Sequence, residues 1–476
     1  MRLTIALAAS LLSTAAIAAP NPVTGATKLD AAWQARTRAM FKELIEIPSV
    51  AGRGQVPAVA EAIGRRLQEA GFSAGDMQIL PYEGLPGDQT AAFLFRWKSP
   101  HPTKKPMLII GHMDVVEAKR EDWKDDPFQF REQDGYFYGR GTIDMKNALV
   151  ASTMGLIKLK QSGFKPNRDI ILFFTGDEET KQNGALKGTT EWRPLLNAEF
   201  ALNGDGAGGL FDREGRSFGF ALLSAEKTFQ TYFLTVRNPG GHSSRPRPDN
   251  AIYELADALK KLQLHRFTPE LNPTTRAYFS QRQKVENGPL GDAMRRWLAN
   301  EQDGEAADII EANDVEIGMT RTRCVATMLQ GGHADNALPQ AATATVNCRI
   351  MPGTQPAAVE AELKQTVGPN VEVKADPNFA GQPTPIFPLR DDVTKAYTDA
   401  VHKLQGPANE VIPQMAVGTS DSSFFRAAGI PSYHVDGAWV ILPEDDRAHG
   451  LDERIPVRAM YDDVLHWEMV ISELAR

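Results

Sequence analysis

The sequence predicts an α/β fold, in which a mixed sheet is flanked by helices and a smaller α+β domain is inserted into the chain. Residues 107–110 and 170–174 are apolar at every position, which is typical of strands buried on both faces of a sheet. Between them, residues 145–160 have the apolar spacing of a helix, and Gly163 follows its end. A strand, a crossover helix and a second buried strand favour parallel pairing in an open sheet.

The remaining elements divide the chain into two domains. Helices are predicted at residues 28–47 and 57–70, and a third strand at residues 200–203. After Lys227 the pattern changes to the alternation of a half-exposed strand, which indicates a domain boundary. The inserted domain should contain helices at 251–263 and 355–367, a polar helical stretch to about residue 312, and strands at 228–236, 324–329, 341–351 and 371–375.

The proline-rich stretch 377–388 should return the chain to the first domain, where residues 411–418 and 448–453 close the sheet. We therefore expect a main domain in two parts and one inserted domain. The predicted boundaries are 1–19 for a signal peptide, 20–225 and 379–476 for the main domain, and 226–378 for the inserted domain.

Composition and charge indicate a globular protein with a small-molecule partner. The chain has 476 residues, of which 42% are hydrophobic and 24% charged, and this length allows two separate cores. The formal net charge of −8 is modest and is spread along the chain, which argues against a nucleic-acid surface.

The first residues have the features of a secretory signal peptide. Arg2 precedes an apolar core at residues 3–17, and the small residues Ala18 and Ala19 follow it. A membrane anchor is the alternative interpretation, but this core is short for a bilayer span. We expect a periplasmic or secreted protein with no membrane attachment after the signal is cleaved.

Two cysteines, Cys324 and Cys348, are too few for a disulfide scaffold and lack zinc-finger spacing. They lie at equal distances from the centre of the loop 331–340, which separates two predicted strands. In an antiparallel pair this symmetry would place them opposite one another, where a disulfide can form. A disulfide and two buried thiols both remain consistent with the sequence.

Ionisable residues follow each of the buried strands or precede the crossover helix. Each alone could be a helix cap or a hydrogen-bonded turn residue, but carboxylates that converge on one sheet edge repel one another unless a cation is bound. Imidazole and carboxylate ligands without thiolate suit zinc, with manganese or cobalt as alternatives. The residues are His112, Asp114, Asp144, Glu178, Glu179, Asp205 and the distant His449.

Together these motifs resemble the aminoacylase/carboxypeptidase family of dizinc metallopeptidases, metallopeptidase family 20. Its members include glutamate carboxypeptidase, carnosine dipeptidase, carboxypeptidase S and succinyl-diaminopimelate desuccinylase. The resemblance implies a zinc-exopeptidase-like fold whose inserted domain is a lid that pairs two subunits into a homodimer. The motifs are Gly-His-Met-Asp-Val-Val at 111–116, Tyr-Gly-Arg-Gly-Thr-Ile-Asp-Met-Lys at 138–146, Thr-Gly-Asp-Glu-Glu at 175–179, Asn-Gly-Asp at 203–205, Gly-His-Ser-Ser at 241–244 and Ala-His-Gly at 448–450.

The resemblance also implies roles for the residues of the cluster. Glu178 would be the general base for a metal-activated water, and Asp114 would orient the imidazole of His112. Two zinc ions per subunit are implied. Their ligands would be Asp144 between the two ions, His112 and Asp205 on one ion, and Glu179 and His449 on the other.

Substrate-binding roles are implied for the inserted domain and one loop of the catalytic domain. His242 resembles the lid histidine that stabilises the oxyanion, in dimeric members from the partner subunit. Arg349 and Asn336 match the residues that hold the substrate's carboxylate and backbone, and a guanidinium suits bidentate carboxylate binding. Gly418 and Thr419 match a loop that binds the same end of the substrate.

The predicted activity is hydrolysis of the amide bond of a dipeptide or short peptide with a free carboxylate. Asp at position 205, where N-acyl amino acid hydrolases of the family mostly have Glu, favours the peptidase. An N-acyl amino acid hydrolase remains the alternative, and a noncatalytic binding protein is disfavoured because every ligand position is filled. Glu117 stands where many relatives have proline, so the specificity of one relative does not transfer directly.

Overall fold

The computed structural model describes residues 23, 25–206, 208–377 and 381–476. The predicted signal peptide at residues 1–19 lies outside the described residues, as does part of the proline-rich stretch. Within the described ranges, no helix combines the length and the apolar composition that crossing a membrane requires.

The helices and strands follow one another in this order: α1 (Ala31–Ile45), α2 (Val56–Glu69), β1 (Met77–Glu83), β2 (Gln89–Trp97), β3 (Met107–His112), β4 (Arg131–Gln133), β5 (Tyr136–Tyr138), α3 (Lys146–Gln161), β6 (Ile170–Thr175), α4 (Asn183–Thr189), β7 (Phe200–Asn203), β8 (Gly208–Phe211), β9 (Ser217–Glu226), β10 (Thr228–Arg237), β11 (Gly241–His242), α5 (Ala251–Leu264), α6 (Pro273–Val285), α7 (Gly288–Ala299), α8 (Gly304–Glu311), β12 (Arg323–Gly331), β13 (Ala337–Leu338), β14 (Ala341–Ile350), α9 (Pro356–Val367), β15 (Glu372–Ala375), α10 (Asp391–Gln405), β16 (Val411–Ala416), α11 (Ser422–Ala427), β17 (Ser432–His434), β18 (Trp439–Ile441), β19 (Arg454–Pro456) and α12 (Val457–Leu474).

The main sheet has ten strands in the order β1-β2-β6-β3-β7-β17-β9-β8-β18, with β16 paired to β9. Its centre is parallel, because β3 lies between β6 and β7 and runs in the same direction as both. The mixed sheet flanked by helices is the fold class that the sequence predicts.

Helices cover both faces of the main sheet, which explains the uninterrupted apolar runs at residues 107–110 of β3 and 170–174 of β6. Leu172 and Phe174 pack into a core with α1, α2, α3, α10 and α12, whereas Ile171 and Phe173 face a smaller core with α4 and α11. Successive side chains of a strand point to opposite faces, so a doubly covered strand needs an uninterrupted apolar run.

A second sheet, in the order β12-β14-β10-β15, carries α5 and α9 and has a separate hydrophobic core. Strand β12 lies at its edge and pairs with β14, so that Cys324 lies opposite Cys348. These two cysteines form a disulfide, which settles the alternative that the sequence left open.

The polar helical stretch of the inserted domain packs on the main sheet. Helices α6, α7 and α8 enclose a core around Phe279 and Trp297 that also includes Ala225 of β9 and Met415 of β16. The prediction grouped this stretch with the second sheet. The structure differs because the apolar faces of these helices are covered by strands of the main sheet.

The contact between α3 and α12 requires a glycine, and this can be tested. A Cβ atom at Gly155 would lie 2.9 Å from the backbone nitrogen of Glu468, whereas one at Gly64 of α2 would lie 3.6 Å from the ring of Phe93. Ala is favoured over Gly inside a helix by about 1 kcal/mol, but overpacking costs about 1–3 kcal/mol.

We therefore expect Gly155→Ala to lower the melting temperature and Gly64→Ala, the matched control, to leave it unchanged or raise it. Differential scanning fluorimetry of the three proteins measures this difference. Equal melting temperatures for the two variants would contradict the close approach of the helices.

Candidate active site

Three neighbouring parallel strands bring ionisable residues to one edge of the main sheet. His112 is the last residue of β3, Glu178 and Glu179 follow the end of β6, and Asp205 follows the end of β7. Because the three strands are parallel and adjacent, their carboxyl ends meet at the same edge. The convergence expected from the sequence is present in the structure.

Asp144 reaches this edge from the turn that precedes α3, and a buried glutamate holds that turn. The carboxylate of Glu453 accepts hydrogen bonds from the backbone N–H groups of Gly141 at 3.1 Å, Ile143 at 2.7 Å and Asp144 at 3.2 Å. It also pairs with the guanidinium of Arg140 at 2.6 Å. Glu453 lies in the segment 448–453 that the sequence singled out, but no role was predicted for it.

His449 joins Asp144 to Glu179. Its Nε2 atom lies 2.9 Å from Oδ2 of Asp144 and 3.0 Å from Oε1 of Glu179. On the other side, Nε2 of His112 lies 3.1 Å from Oδ1 of Asp144. Asp144 therefore contacts a histidine through each of its two oxygens.

Two groups of three residues could each hold a metal ion, since one ligand atom from each residue lies within 4.8 Å of the others. Asp144 belongs to both groups. The groups are His112, Asp144 and Asp205, and Asp144, Glu179 and His449. We call these five residues the ligand cluster; they are the five that the family resemblance implied.

The chemistry of the cluster fits two divalent cations. Three of its five side chains are carboxylates and two are imidazoles, a set that suits zinc and related metals. Oδ1 of Asp144 is buried and has no hydrogen bond of acceptable geometry, although His112 is close. A buried carboxylate oxygen without a partner is costly, and a cation between Asp144 and its neighbours would satisfy it.

Electrostatics within the cluster indicate the same need for positive charge. Hydrogen bonds to Asp144 and Glu179 raise the pKa of His449 to about 10. Desolvation raises the pKa of Asp205 to about 6, and the nearby charge of Asp144 adds to this shift. For His112, burial alone would lower the pKa, but the nearby carboxylates of Asp114 and Asp144 outweigh it and raise the pKa. The carboxylates of the ligand cluster therefore stabilise positively charged neighbours.

Asp114 connects the end of β3 to the segment that carries the two glutamates. Its carboxylate oxygens accept the backbone N–H groups of Glu178 and Glu179, each at 3.1 Å. Nδ1 of His112 lies 3.0 Å from the backbone carbonyl of Asp114 and 3.5 Å from its carboxylate. A hydrogen bond at Nδ1 leaves Nε2 available as a metal ligand.

Glu178 lies beside the ligand cluster without belonging to either group. Desolvation raises the pKa of its carboxyl well above the usual value, and the nearby acids add to this shift. The side-chain amide of Gln182 donates to its Oε1 atom at 2.9 Å. A carboxyl with a raised pKa suits proton transfer near neutral pH.

A buried network that the sequence did not predict lies behind Asp205. His434 contacts the backbone carbonyl of Asp205 through Nδ1, and its Nε2 atom lies 3.1 Å from Oε1 of Glu226. The other oxygen of Glu226 lies 2.7 Å from the guanidinium of Arg426. These residues are buried and belong to no motif, so spacing in the sequence offered no signal for them.

The structure places His242 and Asn336 close together. His242 ends β11, Asn336 immediately precedes β13, which pairs with β11, and Ser243 donates its N–H to the carbonyl of Asn336 at 3.0 Å. Both residues are exposed. Across the described part of the chain, no hydrogen bond or ion pair joins either side chain to the cluster.

The other residues predicted to bind substrate lie at a cavity of about 680 Å³ between the second sheet and the main sheet. Arg349 and Gly418 both line it. The guanidinium of Arg349 stacks on the ring of Phe229 at 4.8 Å. The hydroxyl of Thr419 donates to the backbone carbonyl of Lys227 at 2.8 Å and therefore links the two sheets.

Known proteins similar to this chain include enzymes for two kinds of substrate. The chain is 28% identical over 435 residues to the N-fatty-acyl-amino acid synthase/hydrolase PM20D1 of Xenopus tropicalis. This match covers 88% of this chain and 82% of that protein. It is 26% identical over 389 residues to the probable carboxypeptidase S-like 2 of Dictyostelium discoideum, covering 77% and 71% of the two chains.

Among solved structures, the M20 family metallo-carboxypeptidase Sso-CP2 from Sulfolobus solfataricus has the same fold. The two chains superpose with a TM-score of 0.67 at 20% identity, over 92% of this chain and 98% of that one. The family model for peptidase family M20/M25/M40 matches residues 108–473. This match confirms the family resemblance found in the motifs: the chain belongs to peptidase family M20/M25/M40 and is a hydrolase of the metallopeptidase class.

Proposed function

We propose that this protein is a zinc-dependent exopeptidase that hydrolyses the amide bond of dipeptides or short peptides with a free carboxylate. The observation that carries the proposal is the pair of ligand groups that share Asp144, with Glu178 beside them. When bound, two divalent cations supply a Lewis acid for the scissile carbonyl and lower the pKa of a water.

In this proposal the two adjacent glutamates have different tasks. Glu178 takes a proton from the attacking water and delivers it to the leaving amine, while Glu179 remains ionised as a ligand. Asp114 holds the backbone of both residues and fixes the ring of His112. Arg349 binds the free carboxylate, because no acid of the protein pairs with it among the described contacts.

Residues 226–378 form a lid and dimerisation domain in this proposal, and residues 20–225 and 379–476 form the catalytic domain. Strand β12 presents a free edge with the exposed apolar side chains of Met328 and Leu329. An exposed apolar edge strand is a surface for pairing with another chain. A homodimer through this edge would let His242 of one subunit complete the site of the other as the oxyanion donor, with Asn336 beside it.

The second candidate function is hydrolysis of N-acyl amino acids. It is favoured by the similarity to a protein named for N-fatty-acyl-amino acids. Both candidates need the same amide bond and the same free carboxylate, so they differ only in the group on the amino side. Asp205 supports the peptidase, because N-acyl amino acid hydrolases of the family mostly have Glu at this position.

The proposed location is the periplasm or the extracellular space. Residues 1–19 have the composition of a signal peptide, and the disulfide between Cys324 and Cys348 is of a kind that persists in oxidising compartments.

A substrate panel tests the proposed activity. We expect the zinc-loaded protein to hydrolyse free dipeptides with a higher kcat/KM than acetylated or long-chain acyl amino acids with the same carboxyl-terminal residue. Release of the amino acid, measured by chromatography, gives the rates. Action on acyl amino acids alone would contradict the peptidase and support the second candidate.

Substitution of the proposed general base tests the mechanism. Glu178→Gln should retain bound zinc and lower kcat by at least about 10²-fold, because proton transfer is lost while the ligands remain. Mass spectrometry measures whether zinc is retained, and the kcat on a dipeptide measures the loss of activity. Glu191→Gln is the matched control, since its carboxylate lies in a surface pair with Lys187. Equal turnover by Glu178→Gln and wild type would exclude the assigned role.

The proposed dimer predicts an effect of charge on the edge of β12. The side chain of Leu329 is 64% exposed, and that of Val285, outside the second sheet, is 71% exposed. We expect the wild type to be a dimer, Leu329→Lys to be a monomer with reduced activity, and Val285→Lys to remain a dimer. Light scattering after gel filtration measures the mass. A monomeric wild type, or a dimeric Leu329→Lys, would contradict this interface.

A further inference from the structure

We infer that the cavity next to Arg349 binds the carboxyl-side residue of the substrate and selects a large apolar side chain there. This inference rests on the proposed function, because it assumes that Arg349 binds the substrate's free carboxylate. It adds the chemical class of the residue that carries that carboxylate.

The first observation is that Arg349 differs from the other cations of the cavity. Among the described residues, its guanidinium has no hydrogen bond or ion pair and makes only the stacking contact with Phe229. The other cations have partners. Lys227 donates to the carbonyl of Arg321, Arg321 pairs with Asp308, Arg323 with Glu311 and His265 with Glu362, and Arg266 donates to the carbonyls of Gln263 and His265.

Among the described residues, the guanidinium of Arg349 has every donor free, so it can bind one carboxylate of the ligand through two hydrogen bonds. Lys227 and Arg266 donate only to backbone carbonyls, so the charges of the cavity do not by themselves exclude a second acidic group. An acidic side chain placed against apolar side chains would be desolvated, which is unfavourable. The selection against an acidic residue at this position therefore depends on the apolar wall.

The second observation is the apolar wall. Six large hydrophobic side chains line the cavity, and they come from both sides of it. Three of them are unusually exposed for their type: Ile317 by 46%, Val325 by 61% and Val417 by 48%. A ligand that covers these surfaces would be stabilised by their removal from water. The six residues are Leu259, Leu262, Phe267, Ile317, Val325 and Val417.

The third observation connects the cavity to the end of β6, the strand that leads to Glu178. Gly418 lines the cavity, and three residues later Asp421 accepts a hydrogen bond from Thr175 at the end of β6. Three residues span at most about 11 Å, so the cavity wall lies within reach of the strand that leads to Glu178. A substrate with its amide bond at the cluster can place its carboxyl-side residue in this cavity.

The test compares three dipeptides with the same amino-terminal residue, Ala-Phe, Ala-Ala and Ala-Glu. We expect the zinc-loaded wild type to hydrolyse Ala-Phe with a kcat/KM at least about tenfold above that for Ala-Ala, the range in which apolar pockets discriminate. Ala-Glu should be no better than Ala-Ala. Equal rates for Ala-Phe and Ala-Ala, or preference for Ala-Glu, would overturn the inference.

Two variants place the same new charge inside and outside the cavity. Ile317→Asp puts a carboxylate on the apolar wall and should lower kcat/KM for Ala-Phe by about tenfold while changing that for Ala-Ala by less than about twofold. Val315→Asp, in the same loop and 72% exposed, lies outside the cavity lining and should change neither rate. An equal loss on both dipeptides in Ile317→Asp would overturn the inference.

Failure of the proposed function would be recognised separately. If none of the dipeptides is hydrolysed, titration calorimetry measures the binding of free L-phenylalanine and of free L-alanine to the zinc-loaded protein. Tighter binding of L-phenylalanine that is lost in Ile317→Asp and kept in Val315→Asp would support the cavity assignment without the peptidase. Equal binding of the two amino acids would overturn it.

Discussion

The site depends on one carboxylate that serves two groups of ligands at once. Asp144 faces a histidine with each oxygen, and the acids around it repel one another in a partly desolvated space. Positive charge, from protonated imidazoles or from bound cations, relieves this repulsion. The surrounding structure is arranged to position this carboxylate and its neighbours.

That positioning is achieved by buried groups that hold the backbone rather than the ligand atoms. Glu453 holds the turn before Asp144, Asp114 holds the segment of Glu178 and Glu179, and a histidine lies behind Asp205. Three of the ligands, Asp144, Glu179 and Asp205, are thus supported by contacts from different parts of the chain. Such support limits the freedom of the ligands before any substrate binds.

The sequence predicted the centre of the main sheet because β3 and β6 are covered on both faces and their apolar runs are unmistakable. The same strands indicated His112 and Glu179, which lie at or just after the ends of β3 and β6, and the family motifs supplied the other ligands. Strand β1 was missed because its burial lacks a regular alternation, although it pairs with the next strand, β2. Strand β9 was missed, and its partner β16 lies far along the chain. The apolar spacing of α12 is visible in the sequence, and that helix could have been predicted.

The supporting residues were beyond prediction for a physical reason. Glu453 contacts Asp144 across a sequence separation of 309 residues, and His434 contacts Asp205 across 229. Neither hydrophobic periodicity nor motif spacing reveals contacts between residues that are so far apart in the sequence. The packing of α6, α7 and α8 on the main sheet was hidden in the same way, because an amphipathic helix does not indicate which surface covers it.

The connection between the two sheets has a consequence for the shape of the cavity. A single residue, Lys227, separates β9 from β10, and the returning chain at Thr384 is hydrogen-bonded to Glu226 beside it. One wall of the cavity comes from α5 and β12, and the other comes from residues 317–318 and 417–418, which adjoin Met319 and Met415 of the core on the main sheet. Any rotation of one sheet against the other at this narrow junction would widen or narrow the space, so its capacity is a property of the interdomain angle and of neither domain alone.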